Sequence, residues 1–253
     1  HEQEALQLET AFLEEIVAER GRQMEEGARA LGGFCRAMAE KLGGPVADVR
    51  SSMRDLMERC SPGLGTVGKA LAGRVVTATA VIEQLTRELQ AFDELEKADI
   101  ALEKVDLRLA VESAWEQLRN EHKGATLTVQ RPLIKAWGNP VLVGRIASIF
   151  LSNALKFVAR GETASITVGT GKHGNMVRLW FEDNGIGVEP ARRERIFNLL
   201  ESPAREDRTG GGIGLALARK AAAQMRGSVG LESGAARGSR FWLELPAREE
   251  KEG

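Results

Sequence analysis

Cysteine is nearly absent from this 253-residue chain. Cys35 and Cys60 are too few for a disulfide framework and too widely spaced for a metal site. Both occupy apolar positions of helical patterns, which predicts buried, reduced thiols. Histidine is scarce as well: His1, His122 and His173 are the full complement. One is terminal, one lies between a helix and a strand, and one falls in a hairpin turn, so surface roles are expected rather than catalysis. No apolar run approaches the ~20 residues of a membrane span, and the first residues do not read as a secretion signal. The formal net charge of -1 gives no electrostatic reason to expect nucleic acid or an anionic membrane as partner. These absences together predict a cytoplasmic segment without membrane contact. A first residue other than methionine fits a chain cut from a longer protein, with a sensor or membrane region upstream.

What the chain does have is ordinary material for cores, 43% hydrophobic and 28% charged, at a length suited to about two domains. The first hundred residues are helical in pattern. Met24, Ala28, Leu31, Cys35, Met38 and Leu42 alternate steps of four and three, a heptad seam. It resumes with Val46, Val49, Met53, Leu56 and Cys60 after one extra four-residue step at Pro45, where a packed helix should bend. Ser61-Pro62-Gly63 reads as a turn. A second seam follows: Leu71, Val75, Ala78, Ile82, Leu85, Leu89 and Phe92. Two long helices on a short loop make an antiparallel hairpin with too little core alone, so two copies should pair into a four-helix bundle. Upstream, Leu6, Leu13, Ile16 and Val17 among glutamates suit either a helix entering the first arm or a plain solvated helix.

The pattern changes after residue 98. Helices are expected over 110–120, 141–158 and 213–225, and strands over 125–130, 164–170, 176–182, 228–232 and 239–245, with a turn at 171–175. This is an α+β layer, helices over one mostly antiparallel sheet. The reading divides the chain into an entry helix (1–22), a helical hairpin (23–98), an α+β domain (99–247) and a charged tail (248–253).

Three segments carry chemistry. Leu151-Ser152-Asn153-Ala154-Leu155-Lys156-Phe157 lies on the apolar helix, Glu182-Asp183-Asn184-Gly185-Ile186-Gly187-Val188 follows a strand, and Gly210-Gly211-Gly212-Ile213-Gly214-Leu215-Ala216-Leu217 opens the last helix. An asparagine amide oxygen suits Mg²⁺, which keeps most of its waters. Lys156, three residues on and near the same face, can meet a phosphate. Asp183 at a strand end can accept from an exocyclic amine such as adenine's. Glycines opening a helix present free N–H groups and the positive dipole end to phosphates. Singly, an Asp-Asn-Gly is usually a turn and a triple glycine usually a hinge; all three in this order point to a nucleotide site.

On these residues the second half resembles the ATP-binding catalytic domain of sensor histidine kinases, of the GHKL group with its Bergerat fold. SNALKF matches the N box, DNGIGV and GGGIGLALA the glycine boxes, and Arg195-Ile196-Phe197 the F box. Trp137-Gly138-Asn139-Pro140 is similar to a stretch of the phytochrome-type kinases. The resemblance implies ATP or ADP with Mg²⁺ on Asn153, a phosphate on Lys156, and the adenine amine on Asp183. It also implies a pocket shaped by Gly185 and Gly187, and a mobile lid over 199–209 hinged at Gly210, Gly212 and Gly214, which with Leu215 would bind the nucleotide. The first half resembles the dimerisation and histidine-phosphotransfer hairpin. Pro45 aligns with that box's proline, which puts Glu40 at the phosphoacceptor position and Lys41 at its acidic neighbour. A carboxylate there brings an anion to an anionic centre, where a neutral imidazole would not. Ile149 departs too, standing where many family members carry a polar group. The resemblance therefore implies a two-component regulator that binds nucleotide, forms a homodimer and engages a response regulator or another kinase without phosphorylating itself. A kinase acting on a partner histidine or serine, or a nucleotide-free scaffold, are the alternatives.

Overall fold

The computed structural model describes residues 33, 37–39, 41–60, 62–97, 100–198, 201, 212–234 and 238–248. Glu40, Cys35, Ser61, Gly210, the heptad positions before residue 33, the entry stretch and the last five residues lie outside them. The chain divides into two compact units at Glu96/Lys97.

In the first unit, helix α1 covers 41–59 and α2 runs Gly65–Lys97. Pro62 and Gly63 lie in the turn between them, and Gly65 opens α2 at φ +59. The described residues of the hairpin bury a thin stripe of mixed character. Ala39 and Val46 are buried on the first arm; Ala72, Thr79, Glu83, Thr86, Ala91 and Leu95 are buried on α2. Arg50 Nη1 lies 2.6 Å from Glu83 Oε2 across the arms. Thr79 and Thr86 return their hydroxyls to carbonyls of their own helix. Much of the apolar seam is exposed, at Met38, Leu42, Val49, Leu71, Val75 and Ile82, while Met53, Leu56, Leu85 and Leu89 are half-buried. Cys60 corrects the expectation of a buried thiol. The helix ends at residue 59, and the thiol leaves the seam to stand exposed and free.

The second unit is the expected α+β layer. Its sheet orders strands β2 (Thr126–Val129), β4 (Ser165–His173), β5 (Met176–Asp183), β7 (Ser239–Pro246) and β6 (Ser228–Ser233). Only β2 and β4 run parallel. A separate antiparallel ribbon pairs β1 (Glu103–Val105) with β3 (Ala136–Gly138). At three residues each, these strands are too short to show periodicity, and sequence reasoning missed them. The hairpin between β4 and β5 is tighter than expected. Pairing extends to His173↔Met176, so the loop is Gly174–Asn175 alone, with Gly174 at φ +59. His173 therefore sits in the strand rather than the turn, and its Nδ1 lies 2.5 Å from Glu244 Oε1.

Three helices cover one face. Helix α3 (Leu107–Leu118) begins before the first clear apolar repeat, because Asp106 caps it and accepts from Arg108 N and Leu109 N. Helix α4 (Pro140–Lys156) starts with proline at its first position, and Asn139 Oδ1 accepts from Val141 N at 3.0 Å and Leu142 N at 3.1 Å. Its buried stripe includes Leu142, Val143, Ile146, Phe150, Leu151 and Leu155, a wide face suited to a sheet. Helix α5 (Gly214–Gln224) is shorter and buries mostly alanines. The core centres on Phe150, whose ring stacks on Phe241 at 5.3 Å and meets Phe181 edge-on at 5.5 Å. On the other sheet face Trp180 lies over Gly169 and Trp242 over Gly230, so a side chain at either glycine would displace an indole.

Phe150 is fully buried between a helix and two strands. Phe150→Ala should cost about 3–5 kcal/mol by loss of transfer energy and opening of a cavity. Urea unfolding followed by circular dichroism measures it, and a cost below about 1 kcal/mol would contradict this core.

Candidate nucleotide site

Asp183 ends β5 and is 7% exposed. Its Oδ1 accepts from Gly185 N at 2.8 Å and from Ser239 N at 3.1 Å. Burial pushes its carboxyl up to about 6; the two backbone donors oppose the rise, and Glu182 adds to it. Gly238, at φ +90, crosses against the Asp183 backbone where no side chain fits. The pattern of the strand gave no sign of this second wall. Gly238 and Ser239 come from the far end of the chain, and only strand pairing brings them there.

The next residue has a different task. Asn184 Oδ1 accepts from Ser165 N and its amide donates to Thr163 O, both at 2.9 Å. It pins the loop to the start of β4. Gly185 is buried against the end of α4: an added Cβ would lie 2.6 Å from Phe157 O, and Ile186 N donates to that same carbonyl at 2.9 Å. Gly187, at φ +73, passes close to Gly238. Both glycines are therefore required by close approach of backbones.

Asn153 lies on α4 one turn before Phe157, whose N–H donates to its carbonyl. One turn the other way is Ile149, whose Cγ2 would be 3.5 Å from a Cβ on Gly214, the first residue of α5. Asp183, Asn153 and Gly214 are thus brought around one stretch of helix. Gly212 takes φ +68 just before α5, and no side chain caps that helix, so its first-turn N–H groups are uncommitted to a cap. Asn153 is half-buried and Lys156 exposed, and neither side chain bonds to another described residue. Gly210 falls outside the described residues. The F-box segment is fixed by a residue that the motifs did not flag. Arg219 of α5 sits over the Phe197 ring at 5.5 Å and donates to Asn198 Oδ1 at 3.2 Å. Among the described residues no group of three or more His, Cys, Asp or Glu could hold a metal ion; Mg²⁺ keeps several waters and needs fewer protein ligands.

Residues 138–249 match the family described as histidine kinase-, DNA gyrase B-, and HSP90-like ATPase. These residues belong to a histidine-kinase-like ATPase domain. Similar proteins are sensor kinases. Sensor histidine kinase RppB of Synechocystis is 34% identical over 116 residues, which is 45% of this chain and 25% of RppB. Phytochrome-like protein Cph1 of the same organism is 25% identical over 236 residues, 92% of this chain and 31% of Cph1. The chain thus spans only a quarter to a third of these relatives. Among solved structures, full-length ShkA in complex with AMPPNP superposes with TM-score 0.63 at 23% identity, over 85% of this chain and 46% of ShkA. Acinetobacter baumannii histidine kinase AdeS gives 0.57 at 15%, over 83% of this chain and 98% of AdeS. These likenesses are of fold. Among the described residues no helix is long and apolar enough to cross a membrane.

The buried carboxyl has a consequence for stability. In the unfolded chain it titrates near 3.8, in the folded chain near 6. Its stabilising contribution is complete below pH 4 and is lost as pH rises through 6. Asp183→Asn removes this dependence. The stability of the wild type relative to the variant should fall by on the order of 2 kcal/mol between pH 4 and pH 7. Denaturant titrations at several pH values read it, and a difference flat across that window would contradict the assignment.

Proposed function

We propose that this chain is a nucleotide-binding regulator of the sensor-kinase type that pairs through its hairpin and does not phosphorylate itself. One observation carries the nucleotide part: α4 is fastened to Gly214 one turn before Asn153 and to the Gly185–Ile186 backbone one turn after it. The residues so gathered have free chemistry suited to ATP or ADP with Mg²⁺. Asn153 would offer an amide oxygen to the metal, Lys156 a charge to a phosphate, and Asp183 an acceptor to the adenine amine. The uncapped start of α5 would offer N–H groups to phosphate oxygens. AMPPNP in the ShkA structure agrees with this choice of ligand.

A bound magnesium nucleotide supplies a phosphoryl group activated for transfer, and transfer depends on positioning and charge stabilisation. Two residues weaken that chemistry here. Ile149 has no polar atom to orient water or metal and packs against Gly214 instead. Glu40 places an anion at the acceptor position. The exposed apolar residues of both hairpin arms support a second copy as their cover. The role that remains is conformational, through a response regulator or another kinase in the cytoplasm.

Calorimetry with Mg·ATP should show binding, and Asp183→Asn should weaken it at least about tenfold. Affinity in the wild type should fall as pH drops through 6, because the amine contact needs the carboxylate, and should fall much less in the variant. Incubation with γ-labelled ATP should leave no acid-labile phosphate on the chain. Glu40→His should gain label if the catalytic unit is competent. Label on the wild-type hairpin defeats the regulator reading, and absence of nucleotide binding defeats the site. Phosphate passed to a partner histidine, and lost in Asn153→Ala, would make the chain an enzyme.

A further inference from the structure

The second unit exposes few large apolar side chains. Among its described residues they are Leu109, Val141 and Ile186. Ile186 belongs to the glycine loop of the nucleotide site. Leu109, 54% exposed, and Val141, 75% exposed, instead flank one groove. It runs between α3 and α4 with β1 along its side and has a volume of about 750 Å³. Val141 and Asn153 are twelve residues apart on α4, about 18 Å along the helix, so the groove lies at the opposite end of α4 from the nucleotide site.

Its shape and charge select an occupant. The walls carry small side chains, Ala110 and Ser113 on α3 and Gly144 and Ser148 on α4. These leave room for the ridge of a third helix between two packed ones. A small-molecule site would be enclosed on most sides; this groove is bordered by exposed residues, including Ser113, Gln117 and Arg145. Lys104 and Arg145 line it and pair with no described residue. The acids are fewer in effect. Asp106 is committed to capping α3 and stands 3.8 Å from Lys135 Nζ, which leaves Glu103 against the two cations.

We infer that this groove docks an amphipathic helix of a partner protein, apolar along one ridge and acidic on its flanks. The apolar ridge covers Leu109 and Val141, and the flanks meet Lys104 and Arg145, the helix-in-groove mode of recognition. The site is independent of the nucleotide reading, because it shares no residue with it.

The test uses the full chain and two labelled helical peptides of about 18 residues, both with leucine at helical three-and-four spacing. One has glutamate on its flanks and the other lysine. Fluorescence anisotropy should show saturable binding of the glutamate peptide, weakened by salt, and binding of the lysine peptide at least about tenfold weaker. Val141→Asp should abolish the first, and Arg145→Glu should reverse the preference between the two. Circular dichroism and unaltered unfolding midpoints of both variants show that they fold. Equal affinity for the two peptides, no saturable binding of the glutamate peptide, or full binding by folded Val141→Asp each overturns the inference.

Discussion

The second unit depends on where one helix is held. α4 is fixed to the sheet by Phe150, to α5 by Ile149 against Gly214, and to the loop after β5 through the Phe157 carbonyl. The polar attachment needs glycine. A side chain at Gly185 would meet the Phe157 carbonyl, whereas a Cβ at Gly214 would touch Ile149 at 3.5 Å, an ordinary contact. With the attachments in place Asn153 stands between them, its rotation set by its neighbours. The site is precise because its supports are backbone and buried apolar atoms, whose positions change little on binding.

Asp183 shows what such precision costs. Two backbone N–H groups stabilise its carboxylate, yet burial outweighs them and leaves the carboxyl near 6. Both donors reach the same oxygen, and Oδ2 bonds to no described residue. A buried acid with one oxygen uncommitted is unfavourable to the fold by itself and favourable to a ligand that brings a donor. Such a cost to stability is what the proposed binding role of Asp183 would explain.

The hairpin follows another logic. Its inner stripe holds a carboxylate with one paired and one buried, unpartnered oxygen, two threonines bonded to their own helix, and few apolar contacts. Ion pairs of this kind contribute little net stability against their desolvation. Several of the hairpin's large apolar residues, among them Leu42, Val49, Leu71 and Ile82, face outward. The apolar area left exposed is what the proposed second copy would cover. Arg50 and Glu83 then set the alignment of the arms rather than their affinity.

The order of elements in the second unit was legible in the sequence because its strands alternate and α4 carries a continuous apolar face. The segments proposed for the site stood out there too, since glycines beside an aspartate and before a helix have few other reasons to recur in that order. The starts of α3 and α4 were less clear, as caps at Asp106 and Asn139 act through single hydrogen bonds that periodicity does not register. The β1–β3 ribbon, the wall that Gly238 and Ser239 build against Asp183, and the Arg219 clamp on Phe197 were decided by tertiary structure alone. Each joins residues distant in the chain. Periodicity determined which residues could be buried. Packing determined which seam was covered, left Cys60 in solvent, and gave Asp183 its environment, because burial is a property of neighbours and not of the residue.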